Sequence, residues 1–203
     1  MSVLDDKVKP PIKVFEIKTT RSWLKSWKFE NIQFLEECAS EIIDKLLVRP
    51  KIKVFGKECH QQRNVGFFSD ESIGYKYSGT RASSIALTDK MKELLLYINT
   101  ITNSNFNGIL VNQYKNGEQY IGAHSDDESG LGNNGVVAIS LGGIRKFRIR
   151  SKTQKGIYKD ISMKSGLVIH MGGNFQKEFT HEIPIEKRVN DERISFTFRH
   201  HSE

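Results

Sequence analysis

Cysteine is scarce: Cys38 and Cys59 are the only two among 203 residues. Two thiols make no disulfide framework of the kind that staples small secreted domains, and Cys38 falls on the apolar stripe of a helical pattern. A reducing, intracellular setting is therefore expected. Long apolar runs are missing as well. No stretch approaches the ~20 residues that a membrane-spanning helix requires. Residues 1–18 mix Asp, Lys and Pro without the apolar centre of a secretory signal. A soluble monomer with no membrane partner is expected. Internal repeats and low-complexity tracts are also absent, which leaves one domain over residues 21–203 behind a polar leader at 1–20.

The length suffices for a hydrophobic core, and 37% hydrophobic with 27% charged residues is ordinary for a globular chain. The formal charge of +7 favours a polyanionic partner without establishing one. From Asn31 to Val48, Leu35, Cys38, Ala39, Ile42, Ile43, Leu46 and Leu47 recur at helical spacing, and Pro50 ends the pattern. Thr88 can cap a second helix with Met91, Leu94, Leu95 and Ile98 on one stripe. Residues 51–79 read as strand and loop. Beyond Asn107, the segments Gly108–Tyr114, Val136–Leu141, Phe147–Arg150, Gly166–Met171, Glu182–Ile185 and Ile194–Arg199 are short and β-rich, divided by Gly, Asn, Asp and Lys. The expected fold class is α+β but mainly β: helices first, then a β-sandwich or jelly roll.

His124-Ser125-Asp126 places an imidazole and a carboxylate two residues apart, on one side of an extended segment. A His-x-Asp alone is a weak motif, because chance supplies it in many chains. His181, after the Gly172-Gly173 turn, is the best third ligand. Two His and one carboxylate on one side of a cation suit non-haem iron and leave positions for cosubstrate and oxygen. A zinc hydrolase would use similar ligands. His60, His170, His200 and His201 receive no role.

In the strand 193–199, Arg193, Ser195, Thr197 and Arg199 share one face, and Ile194, Phe196 and Phe198 share the other. Such a polar face often meets only water. It also suits a buried dianion such as 2-oxoglutarate, since guanidinium groups bind carboxylates through paired charge-assisted hydrogen bonds. The two arginine Cα atoms lie ~20 Å apart in a strand, which leaves either one arginine per carboxylate or one on a carboxylate and one on a metal-side contact. His124-x-Asp126, His181 and Arg193-x5-Arg199, in that order and spacing, resemble the AlkB family of dioxygenases. Asn112-Gln113-Tyr114 is similar to the family's Asn-x-Tyr. The resemblance implies a double-stranded β-helix, with Fe(II), 2-oxoglutarate and O2 as cofactor and cosubstrates. It implies cosubstrate contacts from Asn112, Tyr114, Arg193, Ser195, Thr197 and Arg199, with Arg193 on the distal carboxylate and Arg199 near the metal. Ser195 departs from the family, where Asn is usual.

An enzyme acting on a base must take it out of its stack. Tyr75-Lys76-Tyr77-Ser78-Gly79 resembles the aromatic-x-aromatic-Ser-Gly segment of the family's nucleotide-recognition lid, which implies a lid at about 51–80. Tyr77 would stack on the base opposite His124, with Tyr75 close by. Glu128 matches an acidic residue that reads an exocyclic amine. Val54-Phe55-Gly56-Lys57, followed by Arg63, resembles the hairpin of the family member that works on duplex DNA, where an apolar residue at the Phe55 position fills the gap left by the flipped base. Lys187-Arg188 matches a basic loop of the same branch. Arg145, Lys146, Arg148, Arg150, Lys152, Lys155 and Lys159 form a basic run, read as a face for phosphates. The resemblance thus implies oxidative demethylation of 1-methyladenine and 3-methylcytosine, with DNA favoured over RNA. An RNA demethylase, a protein or small-molecule hydroxylase, and an inert nucleic-acid binding module are the alternatives.

Overall fold

A computed structural model of the chain describes residues 10–54, 56–72, 74–77, 80–126 and 134–201. Two strands, β1 (Val14–Lys18) and β2 (Ser22–Lys28), come first. Helix α1 (Ile32–Ser40) follows, then β3 (Lys51–Val54), β4 (Lys57–His60), β5 (Asn64–Phe68), β6 (Gly74–Tyr77) and β7 (Thr80–Ser83). Helix α2 (Asp89–Thr102) leads to β8 (Gly108–Tyr114), β9 (Ile121–His124), β10 (Val136–Gly142), β11 (Arg145–Ser151), β12 (Lys159–Met163) and β13 (Leu167–Gly173). The short helix α3 (Phe175–Glu178) turns the chain into β14 (Phe179–Ile183), and β15 (Arg193–Arg199) closes the fold.

Among the described residues, a major sheet runs β1-β2-β13-β10-β15-β8-β5, and a minor sheet runs β12-β11-β14-β9. Within each, the pairs are antiparallel. This is the jelly-roll arrangement of two facing sheets. Strand alternation sorts side chains to the two faces of the major sheet. Val137, Ile139 and Leu141 of β10, with Phe196 and Phe198 of β15, pack under the helices against Phe34, Leu35, Met91, Leu94 and Ile98. Val136 and Ala138 turn the other way and meet Phe147, Ile149, Met163 and Phe179 of the minor-sheet side. Phe196 and Phe198 are fully buried, and burying a side chain of that size contributes about 1.5–3 kcal/mol.

The helices start where a side chain can satisfy the first free N–H groups. Asn31 accepts from the Phe34 N–H (3.1 Å) and Thr88 from the Met91 N–H (3.3 Å). Asn103, in the left-handed region at φ 51°, ends α2. Three sequence expectations change. Helices do not come first, because β1 and β2 precede α1, and β1 forms an edge strand inside the segment read as a leader. Ser22 and Ser26 occupy buried positions of β2, so its alternation carries too few apolar side chains to be read. The helix expected through Val48 stops at Ser40: the Leu47 backbone instead exchanges hydrogen bonds with Val65 (2.9 and 3.0 Å), and tertiary pairing overrides local periodicity. Strands β9 and β12 add to the segments expected from the sequence.

Candidate metal and cosubstrate site

The open space between the two sheets is lined from both sides. Strand β15 contributes Arg193, Ser195, Thr197 and Arg199, and β8 contributes Asn112 and Tyr114. The minor-sheet side brings His124, Asp126 and His181. The polar face of β15 therefore looks into a cavity and not into water, while Ile194, Phe196 and Phe198 join the helix-side core. Its placement is a backbone matter. Ser195 pairs with Ser140 on one side and Asn112 on the other, and Arg193 pairs with Gly142 and Tyr114.

The three predicted metal ligands converge. One ligand atom from each of His124, Asp126 and His181 lies within 4.8 Å of the others. His181 sits opposite His124 across the β14–β9 pair. His124 Nδ1 lies 2.9 Å from the Gly122 carbonyl, so that nitrogen carries the proton and Nε2 keeps a lone pair on the side of Asp126. His181 is buried with its ring stacked on Phe147 (5.0 Å, 21°), and its Nε2 lies 3.5 Å from Asp126 Oδ2. Burial, reinforced by the neighbouring His124, pushes the His181 imidazole down to about 3. Burial also lowers His124, against the pull of Asp126. Burial opposes ionisation of Asp126, but Arg199 and the two imidazoles outweigh it and hold the carboxyl at about 2. Two neutral imidazoles and one carboxylate are the donor set that a divalent iron takes, so the residues present fit the metal.

The cosubstrate side fits an anion. Arg193 is 2% exposed; its Nε donates to Ser140 Oγ (2.9 Å), and its Nη1 has no protein partner among the described residues. Burial, offset by Tyr114 and reinforced by Arg145, lowers the guanidinium only to about 10, so it stays charged at neutral pH. A buried cation with an unused donor calls for a carboxylate. Tyr114 lies beneath it, with the guanidinium carbon 5.5 Å from the ring centre. Arg199 Nη2 donates to Asp126 Oδ1 at 2.6 Å, which places this arginine on the metal ligand itself.

The remaining predicted residues divide. Arg63 is buried in the same cavity, its Nε donating to Asn112 Oδ1 (2.6 Å). Lys187 and Arg188 are exposed at the tip of a turn in which the Val189 N–H donates to the Glu186 carbonyl (2.8 Å). That turn is pinned to Gly117, which accepts from the Glu186 N–H (2.8 Å) and donates to the Val189 carbonyl (2.7 Å). The backbones of Tyr75 and Tyr77 lie in β6, opposite Ala82 and Thr80 of β7. Phe55 and Glu128 lie outside the described residues.

The basic run needs correction. Arg145 is fully buried, donating to the carbonyls of Asn116 (2.9 Å), Gln119 (2.9 Å) and Pro184 (2.6 Å) beside Glu186. Arg148 pairs with Asp160 and Arg150 with Glu182, both on neighbouring strands. Acids distant in sequence neutralise the face that looks uniformly cationic in the sequence. Phe147, which stacks on His181, and Gln176, whose Oε1 accepts the Asp126 N–H (2.9 Å), are invisible to a sequence reading because neither carries a motif.

Two facing antiparallel sheets around a His-Asp-His cluster and a buried arginine define a class, and comparison with known proteins agrees with it. Residues 28–199 match the model of the 2OG-Fe(II) oxygenase superfamily, and the chain belongs to that superfamily. Its curated relatives are of the AlkB type. They include the DNA oxidative demethylase ALKBH2 of Bos taurus, 27% identical over 157 residues, spanning 73% of this chain and 56% of the relative. ALKBH2 of Arabidopsis thaliana is 28% identical over 178 residues, spanning 74% and 57%. The alpha-ketoglutarate-dependent dioxygenase alkB homolog 3 of Homo sapiens is 33% identical over 107 residues, 48% of this chain and 37% of that one. The chain thus spans little more than half the length of the ALKBH2 relatives it matches. The solved structure of OsALKBH1 shares the fold at a TM-score of 0.57 and 14% identity, covering 91% of this chain and 100% of the other. Among the described residues, no helix is long and apolar enough to cross a membrane.

Proposed function

We propose that the chain is an Fe(II)- and 2-oxoglutarate-dependent oxidative demethylase of N-alkylated bases in nucleic acid, with 1-methyladenine and 3-methylcytosine in DNA as the substrates. The observation that carries this reading is the pairing, in one cavity, of the His124–Asp126–His181 cluster with the partnerless Nη1 of buried Arg193. His124, Asp126 and His181 would hold the iron, and Arg193 would take the distal carboxylate of 2-oxoglutarate. Iron and 2-oxoglutarate held there would, with O2, supply an oxidant for a C–H bond, succinate and carbon dioxide being the coproducts. The chain's own residues do the rest. Arg199 fixes one oxygen of Asp126, and Ser140 orients the Arg193 guanidinium. Hydroxylation of an N-methyl group gives a hemiaminal, which releases formaldehyde and restores the base.

His124 is the most exposed of the three ligands, its side chain 19% accessible against 3% for Asp126 and 7% for His181. The base would therefore approach on the His124 side. The DNA assignment leans on the two ALKBH2 relatives, whose names specify DNA. The deciding experiment measures formaldehyde from matched single- and double-stranded DNA carrying one 3-methylcytosine, with and without Fe(II) and 2-oxoglutarate. Release that requires both supports the proposal. Absence of release from either DNA, with release from methylated RNA, would transfer the activity to RNA.

A further inference from the structure

Strand β9 ends at His124, so Asp126 stands beyond the ladder that carries both histidines. Two side-chain bonds replace it. Ser125 Oγ donates to the Phe179 carbonyl (2.9 Å), and the Asp126 backbone N–H donates to Gln176 Oε1 (2.9 Å). Both partners lie on the α3–β14 corner that leads directly into His181. Gln176 is itself held: Lys152 Nζ donates to its backbone carbonyl (2.8 Å), and its side-chain Nε2 faces Met171 Sδ (3.7 Å). The amide orientation follows from chemistry, because the opposite rotamer would set an NH2 group against the Asp126 N–H.

We infer that Gln176 is a positioning residue for the metal ligand Asp126, an inference that rests on reading His124, Asp126 and His181 as the iron site. Arg199 holds the carboxylate head and Gln176 holds the backbone from which it springs, so the ligand is fixed at both ends. Asp126 is 3% exposed, so without Gln176 its N–H would lack an acceptor and the segment could re-aim the carboxylate. Metal sites need their ligands placed to within about 0.5 Å, and the residues behind the ligands supply that placement.

The test is Co(II) titration of the metal-free protein, followed by visible absorption and alongside thermal unfolding. Wild type should take up Co(II), and Asp126→Ala should not. Gln176→Met keeps the bulk but removes the acceptor, and should bind Co(II) about ten- to a hundredfold more weakly with the fold intact. Gln176→Glu retains an oxygen for the Asp126 N–H and should return to within a few-fold of wild type. At saturating metal, the 2-oxoglutarate requirement of the folded Gln176 variants should be unchanged. Should the Met variant not fold, Gln176→Ala takes its place. Wild-type affinity in folded Gln176→Met, or in Gln176→Ala where that replaces it, overturns the inference and leaves the site standing. Co(II) uptake that ignores Asp126→Ala overturns the site and the inference together.

Discussion

On the major-sheet side of the cavity, β15 is bonded to β10 and β8 along nearly its whole length, so Arg193 through Arg199 are placed by two backbone ladders. On the minor-sheet side, β9 pairs with β14 only at His124 and Ile121, and Asp126 is set by contacts from Gln176, Ser125 and Arg199. One wall is positioned by main chain and tolerates changes in its neighbours' side chains. On the other, main chain places His181 and His124, and Asp126 alone depends on side chains. Substitutions on the two walls should therefore separate cosubstrate binding from metal binding.

The largest effect is expected for Asp126→Ala, which should abolish Co(II) uptake and formaldehyde release together; retained turnover would remove Asp126 from the ligand set. Next, Arg193→Met should raise the 2-oxoglutarate concentration for half-saturation about ten- to a hundredfold. Hydrogen bonds to a charged group contribute about 1.5–3 kcal/mol. Its Co(II) affinity should stay at the wild-type value, and a parallel loss of metal would erase the contrast between the walls.

A third test reaches the far side of the major sheet. Burial among Trp23, Trp27 and Phe106 lowers His170 to about 4, and its Nε2 lies 2.8 Å from the Asn134 carbonyl. The unfolded chain binds this proton near pH 6.5 and the folded chain only near 4. The stability from neutral His170 is therefore complete above about pH 6.5 and shrinks as pH falls toward 4, by up to about 1.4 kcal/mol per pH unit. Urea midpoints across that range should fall less steeply in His170→Gln; identical slopes would discard the assignment. The smallest effect is expected for Phe147→Leu, which keeps most of the volume beneath His181 and should cost under about 1.5 kcal/mol of stability. Its Co(II) affinity should drop a few-fold, measurably less than in Gln176→Met.

Much of this site is legible in the amino-acid sequence. His124, Asp126 and His181 are chemically distinctive, and the i, i+2 alternation of β15 alone sorts its arginines from its phenylalanines. Helix α2 is legible because Thr88 caps a clean apolar stripe. What stays hidden depends on partners remote in sequence. Gln176 matters through the N–H of a residue 50 positions away. Arg148 and Arg150 look like free cations until Asp160 and Glu182 arrive on adjacent strands. Arg145 resembles its basic neighbours in sequence, yet it points inward because strand parity puts it on the face of Phe147 and Ile149.

The pinned turn from Glu186 to Val189 has its own consequence. A Cβ added to Gly117 would lie 1.9 Å from the Glu186 carbonyl oxygen, so the two backbones meet only because that position has no side chain. Lys187 and Arg188 project from chain that is already ordered. Fixing a loose residue's backbone costs about 1–2 kcal/mol in conformational entropy, a penalty this pair has met ahead of any anion's arrival. Gly117→Ala would convert a platform into a tether, loosening the turn while leaving both positive charges in place.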